Sequence, residues 1–154
     1  MLDWNKIIGS HVVKNFQKVL LKWWGIDIRF YDASGNEVGN HRLIQNPLCS
    51  HLHTTSIGSK KCPQNYRKQL QGFNRTKEPF VYSCYAGIQG VAVPIFVRGN
   101  YVGAIVGSGM QQPYNRSAKS RKATIDCLVR LGLDRGTIEK CYQGLKQVSD
   151  HSEE

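Results

Sequence analysis

Cys49, His51, His53, Cys62 and Cys84 put three thiols and two imidazoles into one stretch of this 154-residue chain, and no other part of it is so rich in groups that could do chemistry. On a strand, Cys49, His51 and His53 would share a face by the period of two. On a short helix, Cys49 and His53 would share a face at i, i+4. Either geometry could bring two soft or borderline ligands together, and thiolates with an imidazole suit zinc or an iron–sulfur centre. The spacing is not that of a common metal motif, since no CxxC pair is present and the intervals are 13 and 22 residues. Buried free cysteines also serve as small hydrophobes. Cys127 and Cys141 lie on helical segments, where packing accounts for them.

No catalytic residue is assigned. The chain has no GxSxG elbow, no P-loop and no HExxH, and its few carboxylates lie mostly outside the glycine-rich strands where a pocket would form. A Cys–His pair such as Cys49 with His51 or His53 can be drawn, but residues two apart need not face one another. Gly87, Gly90, Gly103, Gly107 and Gly109 interrupt strand patterns and are followed by no Lys-Ser/Thr opening a helix, so they are not a phosphate loop. Strand glycines mark bulges or a close approach by backbone or ligand, which makes Gly87 and Gly107 ligand-binding candidates. Tyr82, Tyr85, Phe96 and Tyr101 read as core aromatics, of which Tyr82, Tyr85 and Phe96 are candidates to line a ligand cavity.

Positioning these groups needs a folded core, and the length and the 40% apolar content suffice for one domain without disulfide staples. Five cysteines are an odd number and lack the dense spacing of secreted frameworks, which points to a reducing, cytoplasmic compartment. The apolar runs are strand-sized, so no membrane span is expected, and the start lacks a signal-peptide pattern. The net charge of +10 is concentrated: between Val38 and Ile125 the only acid is Glu78, against twelve Lys and Arg. That stretch is either a solvated basic face or an anion- or nucleic-acid-binding surface. The lack of a helix-turn-helix or zinc-finger pattern argues against direct nucleic-acid binding.

The elements follow from periodicity. Ser10 caps a helix from His11, with Val12, Phe16, Val19, Leu20 and Trp23 as its stripe, Lys14, Lys18 and Lys22 opposite, and Gly25 at its end. Ile26–Tyr31, the turn Asp32–Asn36 and a return strand from Glu37 make a hairpin. From Leu43 to Lys61 the mixed pattern reads as a loop with a short helix near Cys49–Thr54, and Pro63 is expected to open a helix running to about Thr76. Phe80–Cys84, Gly90–Val97 and Tyr101–Val106 are strands, the last two joined at Arg98-Gly99-Asn100. Helices over 117–131 and 134–148 close the chain, Asp134 capping the second, and 149–154 reads as a polar tail. These elements predict an α+β domain over 1–148 with a five-stranded antiparallel sheet and flanking helices.

The segments Cys84-Tyr85-Ala86-Gly87-Ile88, Ala92-Val93-Pro94-Ile95, Arg98-Gly99-Asn100-Tyr101-Val102-Gly103-Ala104 and Gly107-Ser108-Gly109-Met110-Gln111 resemble the signature of the PocR-type sensory domain. Cys49 is similar to that family's first cysteine, Lys61-Cys62 before a helix to its second, and the core covered is 15–112. Tyr85 stands in place of the motif's histidine, and Gln89-Gly90 replaces a more acidic or aromatic pair. The resemblance implies a PAS/GAF-like sensory fold of bacterial transcription regulators and signalling kinases that responds to small hydrocarbon derivatives. It selects Cys49, Cys62 and Cys84 as the metal or redox trio and adds Met110 to the ligand-binding candidates; His51 and His53 are not clear family positions, and either could supply a fourth ligand or be a surface residue. The implied partners are a small-molecule ligand, a downstream output domain in the same polypeptide, such as an AAA+ activator or a DNA-binding module, and a second copy in a homodimer packed through the opening or terminal helices. Two other functions stay open: a zinc- or iron–sulfur-based redox sensor that needs no organic ligand, and an anion- or nucleic-acid-binding module using the basic stretch.

Overall fold

A computed structural model of the chain describes residues 3–39, 46–111 and 117–145, apart from the side chains of residues 74, 75, 110 and 111. The 149–154 tail, the side chain of Met110 and the last turn of the helix expected over 134–148 lie outside the described residues. Among the described residues the order of elements is α1 (Trp4–Gly9), α2 (His11–Trp24), β1 (Asp27–Asp32), β2 (Glu37–Val38), α3 (Pro47–Thr54), α4 (Ser56–Leu70), α5 (Phe73–Thr76), β3 (Phe80–Ser83), β4 (Ile88–Val97), β5 (Asn100–Gln111), α6 (Ala118–Arg130) and α7 (Arg135–Gln143).

The strands form one PAS/GAF-like antiparallel sheet in the order β2-β1-β5-β4-β3. The β4–β5 hairpin turns on Arg98 and Gly99, both at positive φ, as a tight right-twisted hairpin requires. Long β5 is the hub, pairing with β1 on one side and β4 on the other, so the first hairpin docks beside the last rather than beside β3.

Alternation along the strands separates two faces. Tyr31, Tyr82, Ala92, Ala104 and Val106 point to one, where Leu70 and Phe73 of α4 and α5 cover them. Ile28, Phe30 and Ile105 point to the other, under α1 and α2. A third apolar cluster joins Leu48 and Leu52 of α3 to Leu128, Ile138 and Tyr142 of α6 and α7 and to Ala86 and Ile88 of the β3–β4 turn.

Three expectations need correction. Pro63 does not open a helix: it lies inside α4, whose N-terminus is Thr55, with its side chain accepting from the Gly58 N–H. A threonine able to cap outweighed the proline, whose missing N–H is tolerated within a helix that packing holds on α3. Residues 56–61 are therefore helical rather than loop, and the expected helix stops at Leu70, with Phe73–Thr76 a separate turn. The chain also begins with an unexpected short helix, α1, which Asp3 caps. Finally, of the α2 stripe expected from spacing only Leu20 packs inward, beside Val13 and with Leu21 also buried, while Val12, Phe16, Val19 and Trp23 are exposed.

Candidate functional site

Asn46 starts α3 by accepting the Cys49 N–H at 3.0 Å, and Pro47 fits the first turn. Leu48 and Leu52 are fully buried in the helical cluster, and this anchoring fixes the roll of α3. Cys49 and His53, four residues apart, then share the face turned to the sheet. Helix α4 crosses close to α3 because residue 58 is glycine: a Cβ there would lie 1.9 Å from the Leu52 carbonyl oxygen. That approach carries Cys62 and Tyr66, again i and i+4, over the same hollow.

The third cysteine arrives on the turn between β3 and β4. The Cys84 N–H donates to the Ile88 carbonyl at 2.9 Å, the Gly87 N–H donates to the Cys84 carbonyl at 3.0 Å, and Gly87 supplies the left-handed φ of +71°. The Tyr142 hydroxyl of α7 donates to the Ala86 carbonyl and ties this turn to the helical cluster.

Cys49, Cys62 and Cys84 thus line one hollow with Tyr66, Tyr82 and Tyr85. The space at the thiols is about 20 Å³, enough for roughly one water. A second hollow of about 160 Å³ adjoins it, sharing His53, Cys62 and Tyr66 and running on to Arg29, Tyr31 and Glu37. Arg29 is buried and held by Asp27 at 2.9 Å and Glu37 at 3.5 Å, so its charge is already matched. The Tyr82 hydroxyl is buried without a hydrogen-bond partner among the described residues.

Burial pushes the Cys49 thiol up to about 12, with Cys84 and Cys62 adding to the effect. Burial also raises Cys84, and raises Cys62 against the opposing hydrogen bond from Tyr85. His53 is lowered by burial and then by Arg29. The site is therefore a cluster of neutral thiols, neutral imidazole and phenols beside the internally neutralised Arg29, with Arg67 at the rim of the second hollow.

Among the described residues no group of three or more His, Cys, Asp and Glu side chains is arranged to hold a metal ion. The three cysteines share a hollow without forming a ready zinc or iron–sulfur site.

Of the other sequence candidates, Tyr82 and Tyr85 line the hollow, and so does His53. His51 is turned toward Asp134 at the start of α7, whose carboxyl it helps lower after the Thr137 hydrogen bonds. Gly87 is a turn residue behind Cys84. At Gly107 a Cβ would meet Ile26 and Val91, on the sheet face away from the hollow. Phe96 packs on Tyr101 at 5.7 Å and under the Lys77 ammonium at the hairpin end, outside both hollows. Arg29, Tyr31, Tyr66 and Ser108 were missed. Period-two alternation on β1 and β5 would have put Arg29, Tyr31 and Ser108 on one face, and Tyr66 follows Cys62 at i, i+4 on α4, but only strand order brings β1 beside β5 and the helices over both.

No helix among the described residues is long and apolar enough to cross a membrane. A family model described as the sensory domain found in PocR matches residues 6–152. No curated protein and no solved structure matches the chain.

Proposed function

Because the chain belongs to the family of sensory domains found in PocR, we propose that it binds a small, uncharged organic molecule in the paired hollows over its sheet and passes the change to an output module in the same polypeptide. The observation that carries this reading is the adjoining pair of hollows that share His53, Cys62 and Tyr66. A volume of about 160 Å³ suits a ligand of a few heavy atoms, since a 150 Å³ cavity admits benzene. Arg29 is already paired with Asp27 and Glu37, and Arg67, exposed at the rim of the second hollow, donates to the neutral Asn36 Oδ1 at 3.4 Å, so the buried part of the site favours a neutral ligand. The Tyr82 hydroxyl offers a donor that a ligand oxygen would satisfy, and the thiols and aromatic rings supply apolar contact. These features favour a hydrocarbon bearing one or two hydroxyl or carbonyl groups. The proposed role is binding rather than catalysis, within a transcription regulator or signalling kinase of the bacterial cytoplasm.

Signal transfer would run through α3. Asn46 accepts from the Cys49 N–H while its amide donates to the Gly109 carbonyl at 3.3 Å, so a shift of the Cys49 helix pulls on the end of β5.

The test is thermal unfolding of the protein against a panel of short alcohols, diols, aldehydes, carboxylates and amines. A hundredfold excess over Kd adds about 2.7 kcal/mol, roughly 5–10 °C in Tm for a domain this size. The neutral oxygenated members should raise Tm, and Tyr82→Phe should weaken the response. A response confined to charged members overturns the reading. So does one equivalent of zinc or iron that co-purifies with the protein and is lost in Cys62→Ser, without any response to the panel.

A further inference from the structure

Helix α2 carries two apolar faces. Val13 and Leu20 pack against Ile8, Ile28 and Phe30, and Leu21 is buried. Val12, Phe16, Val19 and Trp23 are 79%, 58%, 45% and 71% exposed. Their spacing is four, three, four, the 3.5-residue period of a coiled-coil seam. At about 100° per residue the four fall within an arc of roughly 60°, the narrow stripe that distinguishes such a seam from the broad face of a helix lying on a core.

The sheet face on which α2 lies carries further exposed apolar residues: Val93 is registered with Ile105, which packs beneath α1 and α2, and Val81 is registered with Val91 on the same face. Val81 is 61% exposed. Aromatic side chains bring about 150–250 Å² each, so Phe16 and Trp23 at 58% and 71% exposure, with Val12 and Val19, put a few hundred Å² of apolar surface on the stripe. That is a substantial share of the roughly 800 Å² per partner of a stable interface.

We infer that this stripe is the seam of a homodimer in which α2 packs antiparallel against α2 of a second copy. The order Val12, Phe16, Val19, Trp23 alternates small with large. An antiparallel two-fold pairing sets Val12 against Trp23 and Phe16 against Val19 at every level, while a parallel one would stack Trp23 on Trp23. Helix α2 has no acidic residue; Lys14 and Lys18 lie on the side away from the stripe, and Lys22 borders it with its ammonium 6.0 Å over the Trp23 ring. The four seam positions themselves are apolar, and antiparallel pairing sets Lys22 level with Val13 of the second copy rather than with another lysine. An interfacial lipid helix instead has a wide apolar arc bordered by its basic residues. The surface is on the sheet face opposite the ligand hollow, so it stands or falls independently of ligand binding.

The experiment is sedimentation of the full chain at micromolar concentration, alone and with vesicles of phosphatidylcholine and phosphatidylserine. The wild type should be a dimer. Phe16→Asp should be a folded monomer by circular dichroism, with a Tm that, unlike that of the wild type, does not depend on protein concentration, since residue 16 is exposed within its own chain. Adding Val19→Lys to Phe16→Asp should restore the dimer, because antiparallel pairing sets each aspartate against a lysine, whereas parallel pairing opposes like charges. A dimer that survives Phe16→Asp, or a double variant that stays monomeric, overturns the inference. A monomeric wild type that floats with the vesicles also overturns it and assigns the stripe to lipid.

Discussion

The Cys62 thiol lies 3.3 Å from the Tyr85 hydroxyl, joining the middle of α4 to the turn that carries Cys84. This contact opposes the upward push that burial exerts on the Cys62 thiol. Removing it with Tyr85→Phe should make Cys62 a weaker acid and slow its alkylation by iodoacetamide at pH 8, while costing about 0.5–1.5 kcal/mol of stability. Peptide mapping of the alkylated protein reads each cysteine separately. Faster labelling of Cys62 in the variant would show that the tyrosine shields the thiol rather than acidifies it.

The raised thiols and the lowered histidine set a pH window for stability. Cys49 in the folded chain keeps its proton up to about 12, against 9.0 when unfolded. Above pH 9 the unfolded chain has lost that proton and the folded one has not, so stability falls as pH rises through this range. Cys62, Cys84 and Tyr82 are raised too and act in the same direction. His53 is lowered from 6.5, so the unfolded chain gains a proton first and stability falls as pH drops below 6.5. Tm should therefore be highest between about pH 6.5 and 9. Cys49→Val should flatten the alkaline limb and leave the acid limb unchanged; equal alkaline limbs in the two proteins would contradict the assignment to Cys49.

Leu52 and Gly58 separate stability from site geometry. Leu52 is fully buried between α3, α6 and α7, and Leu52→Ala should cost about 2–5 kcal/mol. Gly58→Ala would drive a methyl into the Leu52 carbonyl and force α4 away from α3, at a cost of at least about 1–3 kcal/mol. Chemical denaturation measures both. Only Gly58→Ala should also change the environment of Cys49 relative to Cys62, read as altered alkylation of both thiols in native protein.

Local signals in the chain located most elements, because caps and alternation act over a few residues. Ser10, Gly25, Ser117 and Asp134 bound their helices as their side chains and φ angles require. Pro63 misled because helix propensity is a local preference, whereas α4 is stabilised by α3 lying across Gly58. The inward face of α2 misled for a related reason: a stripe shows that a helix is amphipathic but not which apolar face meets its own sheet. For the site, the i, i+4 relation of Cys49 and His53 was legible on a helix. Arg29 was not, since its role depends on Asp27 and Glu37 closing round it and on β1 lying beside β5. Gly107 and Phe96 show the reverse error: strand residues of suitable type, placed by register on the wrong face or at the wrong end.

Gly90 sits opposite Tyr82 in the β3–β4 pairing, and a Cβ there would lie 2.6 Å from the Tyr82 ring and 2.7 Å from its hydroxyl. The ring of Tyr82 therefore lies across the glycine, and its unpartnered hydroxyl is held at the edge of the hollow by that missing methyl. Gly90→Ala should push the far end of the ring into the cavity rather than move the backbone, costing about 1–3 kcal/mol. The hollow then shrinks by more than the ligand can spare, so the thermal response to neutral oxygenated compounds should disappear while the fold persists by circular dichroism. Adding Tyr82→Leu to Gly90→Ala removes the displaced ring and should recover most of the lost stability without recovering the response. A response retained in Gly90→Ala would mean that the ligand does not use the space beside Tyr82.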